Sequence, residues 1–255
     1  MSGKVVFIGA GPGDPELITL KGKRYLEQAD VVIYAGSLLN PEYLKYAKPG
    51  AKFYDSAKMS LNEVLKVMIE AAKAGKLVAR VHDGDPSFYG AIQEQTDALD
   101  SENIEYIRVP GVSSLQGAAG ALNRELTLPN VSQTVIITRP EGRTTVPEAE
   151  GISKLAVHQA TMVIFLGTQR IARVVEDLVN GGYPKDTPAQ VVYKATWPQQ
   201  KIVKGTLSDI VGKVKAVGVT ETALIFVGKV LDPAAYDLSK LYDPKFTTGY
   251  RKGES

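Results

Sequence analysis

The chain has 255 residues, 44% of them hydrophobic and 23% charged, a globular composition that excludes intrinsic disorder. Lys and Arg number 30 against 28 Asp and Glu; this mild balance argues against a dedicated nucleic-acid binder but leaves room for a local basic trough. There is no cysteine, which excludes disulfides, thiolate zinc sites, iron–sulfur ligation and a cysteine nucleophile.

At roughly 100–200 residues per domain, the length suggests one large domain or two small ones. Met1-Ser2-Gly3-Lys4 runs straight into VVFIG, an apolar run too short for a leader core or a membrane span, so a cytoplasmic location is expected. Residues 4–9, 30–34, 77–82 and 105–109 read as strands. Several are apolar at successive positions, as in strands covered on both faces. Between them, 60–73 has the spacing of one helix face. Ser60 and Glu63 form a capping-box pair at its start, and Gly75 follows its end.

The second half repeats the theme. Strands are expected at 133–138, 161–166, 189–194, 200–204 and 222–228, and helices at about 147–158, 168–180 and 206–217. Gly181-Gly182 stops the second of these helices. The 189–194 and 200–204 runs, joined through Trp197-Pro198, suggest an antiparallel hairpin. Residues 116–132 read as the connection between halves, with Leu128-Pro129-Asn130 as a boundary signal. The fold class is therefore α/β, as two α/β domains over 1–118 and 119–240, with a polar tail at 241–255.

Chemistry is expected in loops that follow strands, because in open α/β sheets ligands bind outside the carboxyl ends. Gly9-Ala10-Gly11-Pro12-Gly13-Asp14-Pro15 fails the dinucleotide fingerprint, since Asp14 stands where a third glycine is needed. Pro12 and Pro15 lack amide donors, and a carboxylate repels a pyrophosphate. A cationic ligand suits Asp14 better; the plain alternative is a tight turn. In Asp83-Gly84-Asp85-Pro86-Ser87-Phe88-Tyr89-Gly90, Asp85 or Ser87 fits either a ligand contact or the cap of a helix starting near Phe88. Ser113 and Ser114, in Pro110-Gly111-Val112-Ser113-Ser114, leave the same choice open. Phe165-Leu166-Gly167-Thr168 and Tyr193-Lys194-Ala195-Thr196 fit an apolar pocket or ordinary strand ends. His82, beside Asp83, reads as a structural group or a catalyst, and His158 as a helix-end residue. No spacing resembles a metal site or a serine hydrolase triad.

Taken together, GAGPGDPELITLKG at 9–22, GDPSFYGA at 84–91, PGVSS at 110–114 and FLG at 165–167 resemble the tetrapyrrole (corrin/porphyrin) methyltransferase family, in order over residues 4 to about 230. YAGSLLN at 34–40, YDSAKMSLNEV at 54–64, GDPSFYGAIQEQ at 84–95 and TLPNVSQTVIITR at 127–139 are similar to its branch acting on carbon 11 of precorrin-4 or cobalt-precorrin-4. Siblings acting on another corrin carbon or on uroporphyrinogen III are the nearest alternatives. An NAD-dependent oxidoreductase would need the missing glycine.

The resemblance implies a cleft between two domains, a homodimer, and S-adenosylmethionine as methyl donor, leaving as S-adenosylhomocysteine. Its donor contacts fall on Pro12, Asp83, Gly84, Asp85, Phe88, Ser113 and Ser114, and then on Leu166, Ala195, Thr222 and Ala223. Asp83 departs from the residues common among relatives, and backbone contacts are expected there. A sulfonium methyl needs orientation more than a strong base: in-line placement at about 3–3.5 Å supplies roughly 7–11 kcal/mol. Asp14, Ser37 and Tyr89 are positioning candidates. Lys58, Arg124 and Arg139 are expected to meet the carboxylate arms of a tetrapyrrole.

Overall fold

The computed structural model describes residues 3–254. The chain divides into two compact units, Met1–Ala121 with Lys194–Lys201, and Leu122–Tyr193 with Ile202–Ser255.

The first unit carries β1 (Lys4–Gly9), β2 (Val31–Tyr34), β3 (Lys52–Asp55), β4 (Leu77–His82) and β5 (Tyr106–Val109), in the order β3-β2-β4-β1-β5. Every pairing is parallel. Helices α1 (Leu20–Gln28), α2 (Leu61–Lys73), α3 (Gln93–Ser101) and α4 (Ser114–Leu122) intervene. The unbroken apolar runs have a direct cause. Val6 and Ile8 of β1 pack with Leu26, Val32 and Tyr43, while Val5 and Phe7 pack with Val64, Met68 and Leu99. Successive side chains point to opposite faces, so a strand covered on both sides is apolar at every position. Each such large side chain contributes about 1.5–3 kcal/mol by leaving water. Parallel strands all end on one side. The adjacent trio β4-β1-β5 therefore delivers the loops at 9–15, 83–91 and 110–114 to one edge.

The capping box expected on α2 is present, with the Ser60 hydroxyl and the Glu63 carboxylate each meeting the other's backbone N–H.

The second sheet runs β6 (Val135–Thr138), β7 (Thr161–Ile164), β10 (Ala223–Val227), β8 (Pro188–Tyr193), β9 (Lys201–Thr206) across its width. β6 and β7 are parallel, and β10 is antiparallel to both β7 and β8. Helices α5 (Ile152–Leu155), α6 (Ile171–Asn180) and α7 (Ile210–Val217) lie between its strands in sequence. Ile152, Ile171, Val174, Leu178, Ile210 and Val214 share one buried cluster with Met162, Ile164, Val191 and Ile225. The 189–194 and 200–204 runs are sheet neighbours, as expected.

Several local expectations are corrected. Residues 116–132 are not all connection: α4 occupies Ser114–Leu122, with Leu115, Ala118 and Leu122 buried, because LQGAAGAL is rich in good helix formers. No helix begins near Phe88. Tyr89 and Ala91 take left-handed φ of 56° and 47°, so the regular turn starts only at Gln93. The helix expected at 147–158 is broken into two 3-10 turns around the four-residue α5, with Pro147 and Gly151 interrupting it. The first turn of the 168–180 helix is 3-10. Strand β3 and helix α1 stand outside the sequence expectations. Among the described residues no helix is long and apolar enough to cross a membrane.

Candidate functional site

In the first unit, three loops meet at their glycines. Ala10 N–H donates to the His82 carbonyl at 2.9 Å, and Gly11 and Gly84 exchange backbone bonds at 3.2 and 2.9 Å. A Cβ on Gly9 would lie 2.6 Å from the Gly111 nitrogen and 2.7 Å from the Gly84 oxygen, and a Cβ on Gly111 would overlap that same carbonyl. Only hydrogen at these Cα atoms permits such backbone approach. Gly84 itself sits at φ 60°, and a Cβ there would face the Ser114 N–H at 3.2 Å.

Asp85 joins two loops. One carboxylate oxygen accepts from Ser87 N–H at 2.8 Å, the other from Gly111 N–H at 2.7 Å. Ser113 is buried and its hydroxyl accepts from Leu115 N–H at 3.2 Å. The capping reading of Ser113 is realised at the start of α4, whereas Asp85 caps no helix and instead ties its own turn to the 110–114 loop.

The 11–14 turn is clamped by side chains. Trp197 Nε1 donates to the Pro12 carbonyl at 3.1 Å, Asn40 Nδ2 to the Gly13 carbonyl at 2.7 Å, and the Tyr43 hydroxyl to the Asp14 carbonyl at 2.8 Å. The same hydroxyl accepts from Gly13 N–H at 3.3 Å, and the Thr196 hydroxyl accepts from Asp14 N–H at 2.9 Å. Three consecutive carbonyls are held one by one, which leaves the Asp14 side chain to cap Glu16 N–H at 2.9 Å. Asn40, Tyr43 and Trp197 hold this turn and were not among the sequence candidates, while Thr196 lies in the Tyr193-Lys194-Ala195-Thr196 stretch that was. The traceable signals were Asn40-Pro41, a capped turn start, and Trp197-Pro198.

Burial sets the electrostatics of these loops. It raises the Asp83 carboxyl to about 7, since a charged form loses its hydration. Among the described residues, no group donates a hydrogen bond to that carboxyl. Burial also raises the Tyr43 phenol, helped by the nearby charges of Asp83 and Asp14. His82 is lowered to about 3 by burial and then by the Arg80 charge. Its ring lies 6.2 Å from that of Phe7, and its Nε2 has no partner among the described residues. A ring so held is neutral at ordinary pH and turned into the core. Arg80, lowered to about 10 by burial, donates to Gln95 Oε1 at 3.0 Å, and Gln95 Nε2 donates to the Ala91 carbonyl at 2.7 Å. This relay anchors the end of the 83–91 loop.

Of the other first-unit candidates, Pro12 and Ala195 are buried, Phe88 and Tyr89 are 38% and 45% exposed, and Ser37 is exposed. Lys58 is an exposed lysine 3.8 Å from Asp55. In the second unit the structure brings two predicted stretches together: the Thr168 hydroxyl donates to the Ala223 carbonyl at 3.3 Å. Leu166 and Thr222 are left-handed at φ 54° and 53°. Tyr89, Ala91, Leu166, Lys194, Thr196 and Thr222 all hold this costly backbone conformation, and such strain concentrates where function requires it. Arg124 borders a concavity of about 410 Å³ of mixed charge, lined by Lys204 and Lys213 and also by Asp186, Asp209 and Asp232, with Lys213 paired to Asp209 at 2.6 Å. Arg139 gives its guanidinium to the carbonyls of Pro140, Thr144 and Thr145 at 2.8–3.3 Å. Among the described residues, no group of three or more ligand-type side chains is placed to hold a metal ion.

This geometry agrees with what is found among known proteins. The family model for tetrapyrrole (corrin/porphyrin) methylases matches residues 4–211. The cobalt-precorrin-4 C(11)-methyltransferase of Methanocaldococcus jannaschii is 57% identical over 249 residues, covering 98% of this chain and 96% of the relative. A solved cobalt precorrin-4 methyltransferase is 47% identical with a TM-score of 0.88, over 90% of this chain and 96% of that one. A uroporphyrin-III C-methyltransferase from Thermus thermophilus, solved with S-adenosyl homocysteine, is 28% identical with a TM-score of 0.76, over 92% and 96%. The chain belongs to the tetrapyrrole (corrin/porphyrin) methylase family.

Proposed function

We propose that this chain is an S-adenosylmethionine-dependent C-methyltransferase acting on carbon 11 of precorrin-4, with the cobalt-bearing form as the favoured substrate. The observation that carries this reading is 57% identity over nearly the whole chain to a protein of that activity. The first unit's loops fit the donor chemically. Glycines at 9, 84 and 111 let the three loops pack backbone against backbone, and Asp83, without a hydrogen-bond donor among the described residues, offers its carboxyl to a cationic ligand.

Bound S-adenosylmethionine supplies a methyl on a sulfonium with a neutral leaving group. The chain's own contribution is placement. On the first unit Pro12, Asp83, Gly84, Asp85, Phe88, Ser113, Ser114 and Ala195 hold the donor. On the second, Leu166, Thr222 and Ala223 take that role. Asp14, Ser37 and Tyr89 orient the reactants, and excluding water strengthens each polar contact. Lys58 and Arg124 meet carboxylate arms of the macrocycle. Arg139, already engaged by three carbonyls, contributes by holding the 140–145 turn. Cobalt, when present, arrives within the substrate. The protein works as a cytoplasmic homodimer without nucleic-acid partners.

The test is incubation with cobalt-precorrin-4 or precorrin-4 and donor labelled with ¹³C in its methyl. Carbon NMR is expected to place the label on carbon 11. Label on another ring carbon, or none transferred, rejects the assignment.

A further inference from the structure

Three carboxylates stand in the clustered loops of the first unit, and two are already committed. Asp14 accepts from Glu16 N–H, and Asp85 accepts from both Ser87 and Gly111 N–H. Asp83 is different. It follows β4 directly, between the His82 carbonyl that binds Ala10 N–H and the Gly84 that pairs with Gly11, so its backbone is pinned on both sides. Its side chain is partly enclosed, and its charge acts on the Tyr43 hydroxyl that holds the 13–14 turn. No described residue donates a hydrogen bond to it, and no cation neutralises it. An enclosed carboxylate in that position costs free energy. A cationic ligand would remove the cost.

We propose that Asp83 acts through its side chain as the counter-charge for the donor, its carboxyl, unpartnered among the described residues, meeting positive charge on bound S-adenosylmethionine. This rests on the reading that the glycine loops hold the donor. The O–H bond of the carboxyl breaks, the proton passes to solvent, and no covalent bond to the ligand forms. The titratable groups around it are Tyr43 on the 3-10 turn at Pro41–Tyr46, Asp14 on the 9–15 loop, and His82 and Asp85 on its own segment. The positive charge met is the sulfonium or the α-ammonium, and the two ligands used below separate them.

The experiment is isothermal titration of the full chain at pH 6.5 with S-adenosylmethionine and with S-adenosylhomocysteine, in two buffers of different ionisation enthalpy. At that pH an α-amino group titrating near roughly 8 remains charged in both states. A carboxyl titrating at about 7 is about three-quarters protonated in the free protein, so release of about 0.75 proton per ligand is expected. Release with both ligands assigns the α-ammonium; release with S-adenosylmethionine alone assigns the sulfonium. Donor affinity is expected to rise by up to about tenfold from pH 6 to pH 8, then to level off if the sulfonium is met and to fall if the α-ammonium, losing its own proton near roughly pH 8, is met.

Asp83→Asn is expected to abolish the proton release and flatten that profile. Asp83→Ser serves as the second variant, with the fluorescence of Trp197, the one tryptophan in the chain, reporting that the loop remains folded. Binding with no proton release by the unaltered protein, or undiminished release by both variants, overturns the proposal and leaves the donor reading standing. Binding of neither ligand overturns the donor reading itself.

Discussion

Asp83→Asn should stabilise this protein, and the gain should depend on pH. An unfolded aspartate ionises at about 3.9, whereas burial holds Asp83 protonated up to about 7 in the folded chain. Below pH 4 both states keep the proton, so the group contributes nothing to the balance. Between pH 4 and pH 7 the unfolded state loses it while the folded state retains it, so stability falls as pH rises. Above pH 7 the penalty is constant. About three pH units at 1.36 kcal/mol each give a ceiling of about 4 kcal/mol. The variant cannot ionise and escapes this cost. At roughly 2–4 °C per kcal/mol for chains near this size, its Tm at pH 8 should exceed that of the unaltered protein by up to roughly 8–16 °C, and the two should converge near pH 4. Trp197, whose indole binds the Pro12 carbonyl, reports melting of the first unit by fluorescence. His82 works in the opposite direction. Its depressed value makes the fold lose stability as pH falls from 6.5 toward 3, and because both proteins carry it, it cancels in the comparison. A Tm difference that stays constant from pH 4 to pH 8, or a variant less stable at pH 8, would refute the reasoning. A carboxyl kept at such a cost is the ordinary signature of a group retained for binding.

Gly13→Ala places a Cβ inside the Trp197 indole, so donor affinity by calorimetry should fall at least tenfold with a shifted Trp197 emission; unchanged affinity would show that the turn tolerates displacement. Tyr43→Phe removes the donor to the Asp14 carbonyl and the acceptor for Gly13 N–H. It should cost about 1–3 kcal/mol of stability and weaken donor binding more than substrate binding, read as separate KM values. Asp85→Ala strips the bonds to Ser87 and Gly111, and hydrogen exchange at residues 110–114 should accelerate. Ser60→Ala breaks the capping box on α2; it should cost about 1 kcal/mol in a melt and leave donor affinity unchanged, so a change there would mean the cap couples to the loops.

What the sequence by itself determined is the part written in local signals. The VVFIG run is apolar at every position because both faces of its strand are covered, and LVARVH departs from that pattern only at Arg80 and His82; such a pattern needs no partner to be read. Ser60 and Glu63 cap a helix through contacts three residues apart. The glycines at 9, 84 and 111 mark loops after strands, and their order carried the family resemblance. The tertiary structure decided what depends on distant segments meeting. Trp197 and Thr196 lie more than 180 positions from Pro12 and Asp14, and their stretch belongs to the first unit although both flanking strands lie in the second sheet. No periodicity encodes that return. The left-handed residues at 89 and 91 stand where a helix was expected, and the loop end there is held by the Arg80–Gln95–Ala91 relay from the preceding strand and the following helix. Asp83 shows the division most clearly: its type and place are plain in the chain, but its protonation follows from enclosure without a donor. Desolvation is a property of everything packed around a group, and a linear sequence does not contain it.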